Sequence, residues 1–230
     1  MMDQWNEDWG GINWNAYFAA YQKERGGFYF GSNRMNFDCQ LVLTQGEKAP
    51  ILVWVDLDPA GKYSTKNIFA RTSVQLNGEY DLRIGDESAL VGGVKGIAGL
   101  LGGGGDYGFP EVTKKRSIST NNKAFTKQVL SDLDFRNALL ARRRDHVLIQ
   151  PTPQGDGWHT VEVGDIGFEG GLGGSPWTEM PVATYNQEAL MTPEEKAVVK
   201  RAAQEHFNRE MDGFLNLLRA AARAVTVWRM

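Results

Sequence analysis

Residues 51–84, ILVWVDLDPAGKYSTKNIFARTSVQLNGEYDLRI, decide the fold class. The stretch opens on a continuous apolar run, residues 51–57, with the length and β-branched content of a buried central strand. Asp58-Pro59-Ala60-Gly61 is turn chemistry. Residues 68–76 read as the next strand. Asn77-Gly78 then offers two residues that tolerate positive φ, the strongest short hairpin signal, and residues 80–84 read as the return strand. No helical run separates these segments. They form an antiparallel meander and not a series of β-α-β units.

The same reading extends outward. Upstream, residues 37–43 (FDCQLVL) alternate as a half-buried strand. Before them, residues 13–25 read as a helix, because Trp14, Tyr17, Phe18 and Tyr21 recur at three- and four-residue steps. Gly26-Gly27 stops it. Downstream, residues 113–119 read as a strand with a basic start and residues 122–142 as a helix. Its apolar face is Phe125, Val129, Leu133, Leu139 and Leu140. Residues 146–150 and 158–163 form a hairpin across the loop PTPQGDG. The expected fold is α+β: a mainly antiparallel sheet, meander plus β-α-β-β, packed on the helix 122–142. An N-terminal helix and a long C-terminal helix flank it. Residues 164–191 are rich in Gly, Pro and Thr with no period and read as a linker or long surface loop; residues 1–168 make the core domain, residues 169–191 the linker or long loop, and residues 192–230 the last helix.

That last helix opens on Thr192-Pro193-Glu194-Glu195, where Thr192 caps, Pro193 suits the first helical position and Glu195 completes a capping box. Phe207, Met211, Phe214, Leu218, Ala221, Val225 and Trp228 follow at alternating four- and three-residue steps, a heptad-like seam. Some 36 residues of helix span about 54 Å, more than the about 40 Å breadth of a compact core of this size. The seam therefore packs along its own domain, pairs with a second copy, or takes a different protein partner.

The totals exclude whole classes. Of 230 residues, 42% are apolar and 23% charged, which is globular composition, and the net charge of −3 leaves no broad positive field for nucleic acid. The one cysteine, Cys39, cannot form an internal disulfide, and no Cys cluster suits zinc. The start of the chain has no signal-peptide pattern and no run is long and apolar enough for a membrane helix, so a cytoplasmic location is expected.

Candidate chemistry is sparse. Residues 92–108 form a glycine-rich loop. Gly103, Gly105 and Gly108 fit G-x-G-x-x-G, but Phe109-Pro110 and a basic strand follow where a dinucleotide site needs a helix. The loop reads as a connector, and no cofactor is expected. Asp56 and Asp58 end an apolar strand as Asp-x-Asp, a pattern that presents two carboxylates to a divalent cation; they are the candidate metal ligands and catalytic residues of a hydrolase reading. Ala60 and Asn67 stand where a phosphatase threonine and a calcium-loop glutamate belong. His146 and His159 approach each other if their strands pair. Lys114, Lys115 and Arg116 with Arg142, Arg143 and Arg144 make one basic patch suited to an anionic lipid surface or an acidic protein. With no complete catalytic constellation, the leading reading is a non-catalytic interaction or assembly module whose partner, itself or another protein, docks on the C-terminal helix.

Residues 108–151 carry Phe109, a strand ending in a Ser/Thr/Asn cluster, a helix with a central Val129-Leu130 followed by an acidic turn, and a further strand. This segment resembles a β-α-β module of uncharacterised bacterial proteins, many of them membrane-attached. The resemblance covers about a fifth of the chain and brings no catalytic residues with it.

Overall fold

The computed structural model describes residues 14–31, 39–58, 65–85, 106–169, 177, 180, 181, 183 and 185–228, with backbone alone at 56–58, 65–66, 166–169, 185–186 and 227. In chain order the elements are α1 (Trp14–Arg25), β1 (Phe28–Gly31), β2 (Cys39–Leu43), β3 (Ile51–Asp58), β4 (Thr65–Gln75), β5 (Leu82–Gly85), α2 (Pro110–Thr113), β6 (Ser117–Thr120), α3 (Lys123–Ser131), α4 (Leu133–Ala141), β7 (His146–Pro151), β8 (Trp158–Glu169), α5 (Tyr185–Glu188) and α6 (Pro193–Ala224). A 3-10 turn, Thr226–Trp228, follows. The fold is α+β, with an eight-stranded antiparallel sheet in the order β1-β2-β3-β4-β8-β7-β5-β6. The chain divides into two compact units: residues 1–68 with 167–212, and residues 69–166 with 213–230.

In the first unit, α1 forms where the aromatic spacing predicts it and buries Trp14, Phe18 and Tyr21. It ends at Gly26, whose N–H donates to the Gln22 carbonyl at 2.8 Å and whose φ is +79°, a left-handed helix stop that glycine adopts without strain. Strand β1 follows immediately, an element the sequence pattern did not suggest. The core centres on Phe207 of α6. Its ring lies within 6.2 Å of the rings of Trp14, Tyr17, Phe18, Tyr21 and Trp177. Asp212 accepts from the Tyr21 hydroxyl at 2.7 Å and pairs with Arg25 at 2.6 Å. The capping box of α6 is present: Glu195 N–H donates to Thr192 Oγ1 at 3.2 Å, and Thr192 N–H donates to Glu195 Oε2 at 2.8 Å.

In the second unit, β5 lies between β6 and β7 and runs antiparallel to both. Strands β6 and β7 are therefore parallel, and α3–α4 joins them as a split β-α-β. The inner face carries Leu82, Ile84, Ile118, Val147, Ile149, Val161 and Val163, all buried. Against it pack Phe125, Val129, Leu130, Phe135 and Leu139 of the helix pair and Phe214, Leu217, Leu218 and Val225 from the C-terminal segment, all buried as well.

Four expectations need correction here. Asn77-Gly78 is not a hairpin turn, because β8 is β4's neighbour on that side. The chain leaves β4 with the Leu76 N–H donating to Gly157 O and the Asn77 N–H to Trp228 O, and Gly78 takes no positive φ. The helix over 122–142 is two helices. Asp132 is extended and caps α4 by accepting from the Phe135 N–H at 2.8 Å, so Leu133, read as a core residue, is 59% exposed at the new helix start. Phe109-Pro110 does start a helix, the single turn α2 with Pro110 in its first turn, and the strand expected over 113–119 is the shorter β6. Residues 164–169, at the start of the Gly-, Pro- and Thr-rich stretch read as loop, instead continue β8.

Candidate interaction surface

The three strands β1, β2 and β3 have one inner and one outer face. Register sets Phe28 opposite Val42 and Val42 opposite Leu52; it sets Phe30 opposite Gln40 and Gln40 opposite Trp54. Opposed residues share a face, so Phe28, Val42, Leu52, Phe30, Gln40 and Trp54 lie together. The intervening residues Cys39, Leu41, Leu43, Ile51, Val53 and Val55 are buried, and Tyr29 donates to Asn15 Oδ1 of α1. That second set faces the helix. The first set points away from it, and five of its six members are apolar or aromatic. Phe28 is 60% and Phe30 58% exposed; Val42, Leu52 and Trp54 are half-buried. β1 is also the outermost strand in the sheet order. A contiguous apolar face on an edge strand is what a partner covers in soluble proteins.

The residues singled out in the sequence fall elsewhere. Every described seam residue is placed inside its own chain: Phe207, Met211, Phe214, Leu218, Ala221 and Val225 are fully buried, and Trp228 packs edge-on against Tyr80 and Phe125. Leu215, Leu217 and Ala220 are buried as well. The apolar stripe is thus much wider than a coiled-coil seam, which is the signature of a helix enclosed by its own protein. Asp56 and Asp58 end β3, but their side chains lie outside the described residues, as does the glycine-rich loop up to residue 105. Among the described residues no group of three or more His, Cys, Asp or Glu is placed to hold a metal ion. Cys39 is a buried free thiol.

The two basic runs do come together, but a third of the patch turns inward. Arg116 is buried and donates to the carbonyls of Arg143 and Asp145. Arg142 donates through Nε to Asp145 and lays its guanidinium over the Phe214 ring, 5.5 Å from the centroid. Lys114, Lys115 and Arg143 remain exposed and Arg144 is half-buried. Asp145 and Asp165, both buried, extend the β7–β8 register by one step beyond His146 and Gly164. Burial pushes the Asp145 carboxyl up to about 6, against the pull of Arg142, and the neighbouring Asp165 charge adds to the rise. The bonds of Arg116 and Arg142 tie the turn after α4 to β6.

The histidines are not a pair. His146 stands opposite Gly164 and His159 opposite Pro151, at the two ends of the β7–β8 ladder. His159 is fully buried. Its Nε2 accepts from the Tyr80 N–H at 3.0 Å while Nδ1 reaches the Gly157 carbonyl at 2.8 Å. Both bonds form together only in the neutral tautomer protonated at Nδ1. His146 faces outward, with its ring 5.9 Å from that of Phe69. The two rings cover Gly164, where a Cβ would sit 2.3 Å from His146 Cε1 and 2.7 Å from Phe69 Cδ1.

No described helix is long and apolar enough to cross a membrane. No family model, curated protein or solved structure matches this chain.

Proposed function

We propose that the chain is a non-catalytic interaction module that docks a protein partner on the outer face of β1–β3. The observation that carries this reading is the contiguous apolar surface of Phe28, Phe30, Val42, Leu52 and Trp54 on the outermost strand. The C-terminal helix, where the sequence alone places the partner, turns its apolar stripe into its own chain instead. Aromatic residues with little competing charge are the usual anchors of protein recognition.

The test uses the full chain with a photo-crosslinking phenylalanine analogue at position 30 in one variant and at Gln150 in another. Position 30 is expected to yield a discrete adduct and position 150 none. The captured protein, purified, is then titrated against the wild type and against Phe28→Ser/Phe30→Ser. Binding that weakens at least tenfold in the double variant supports the reading. Equal binding by the two chains, or adducts only from position 150, overturns it.

A further inference from the structure

We infer that the partner on this face is a second copy of the same chain, joined β1 to β1 about a twofold axis through Tyr29; this rests on the docking reading above. A twofold interface must be self-complementary, and β1 meets that condition. In antiparallel pairing, opposed residues share a face. A centre between two residues would set Tyr29 opposite Phe30 and turn one copy's outer face to the other's inner side. A centre on Tyr29 keeps the faces matched and sets each Phe28 opposite the other copy's Phe30. Four phenylalanine rings then form one row across the joint, the arrangement in which cross-strand aromatic pairs stabilise a sheet.

Charge permits the same partner, and area sets how tightly it is held. Neither β1 (FYFG) nor β2 (CQLVL) has a charged residue or a proline, and β1 pairs with β2 through four consecutive residues without a bulge. Charge, proline and a bulge, three of the devices that keep a sheet edge from pairing, are therefore missing from this strand, and its four-residue length limits the pairing to a short ladder. Two chains of net charge −3 can meet here with no like charges opposed on this face. Phe28 and Phe30 each expose about 100 Å² of ring surface, so four rings give about 400 Å² before the half-buried neighbours and the strand backbone are counted. That ring area alone is below the about 1,000 Å² of a stable interface, so the dimer is weak and reversible.

Sedimentation equilibrium of the full chain from about 10 µM to about 1 mM, a range set by that interface size, is the test. The weight-average mass of the wild type is expected to climb toward twice the monomer. Phe28→Lys/Phe30→Lys and Phe28→Glu/Phe30→Glu should each stay monomeric, and an equimolar mixture of the two should recover the dimer, since each lysine then opposes a glutamate. If the substitutions unfold the chain, amide exchange over residues 28–31 of the wild type replaces them; it should slow as concentration rises. A wild type that stays monomeric throughout overturns the twofold and leaves a foreign partner for the same face. A wild type that dimerises while both charged variants also dimerise overturns the twofold and the docking face together.

Discussion

The outer faces of the sheet differ between the two units. In the first unit, β1–β3 present Phe28, Phe30, Val42, Leu52 and Trp54 with a single polar residue, Gln40. In the second, β5, β6, β7 and β8 present Arg83, Ser119, Leu148, Gln150, Thr160 and Glu162 with the exposed Trp158 at one end, and a second outward aromatic, Phe69, packs with His146 over Gly164. The inner faces of both are mainly apolar, and that of the second also carries His159, Asp145 and Asp165, all buried. A polar outer face is complete in water. An apolar one is complete only when something covers it. The difference is what the docking proposal rests on.

The contrast is sharpest one layer inward, where an aromatic residue serves the fold and not a partner. Phe207→Ala removes the ring at the centre of the first unit's aromatic cluster, and should lower unfolding free energy by about 3–5 kcal/mol in chemical denaturation. A loss under about 1 kcal/mol, the size typical of peripheral sites, would mean that this core is assembled some other way.

The second unit holds a charge inside where the first holds none described at its centre. Asp145 is raised from 3.8 to about 6 in the fold. A carboxyl with a raised folded pKa binds its proton more tightly in the native state, so it makes stability fall as pH rises from about 4 to about 6 and leaves it level above that. The stability of the wild type relative to Asp145→Asn should shrink across this window by on the order of 3 kcal/mol. Thermal melts of both proteins at pH 4, 5, 6 and 7 check it. A difference that grows with pH has the wrong sign for a carboxyl that burial controls.

The second unit's outer face is closed on itself at Gly164. Gly164→Ala should cost about 1–3 kcal/mol from overpacking, and pairing it with His146→Ala should recover part of that loss, because His146 Cε1 is the nearest atom to the added methyl. A double variant no better than the single would show that the Phe69 ring, 2.7 Å from the same methyl, is what resists it.

Much of this was legible in the residues. Helix α1, strands β2 to β4, the β7–β8 hairpin and the capping box at Thr192 follow from spacing and local chemistry, because local bonds are what hold them. What escaped was decided at a distance. Asn77-Gly78 carries a strong local hairpin signal, yet β8 pairs with β4 on that side. Asp132 looks like a polar position within one helix, but its carboxylate caps the next. Strand β1 shows no alternation because both of its faces are aromatic: Phe28 and Phe30 outward, Tyr29 inward toward Asn15. That same missing alternation marks the strand whose outer face the docking proposal uses. The seam of α6 was read correctly as apolar, but periodicity cannot say whose apolar surface it meets.

The most direct test of the central claim is guanidinium denaturation of Phe28→Ser/Phe30→Ser at a concentration low enough to keep the chain dissociated. The account holds that these two rings face a partner and not the core, so the midpoint and slope should match those of the wild type, with stability changed by no more than about 0.5 kcal/mol. A fall comparable to that of Phe207→Ala would contradict it and make the outer face part of the fold.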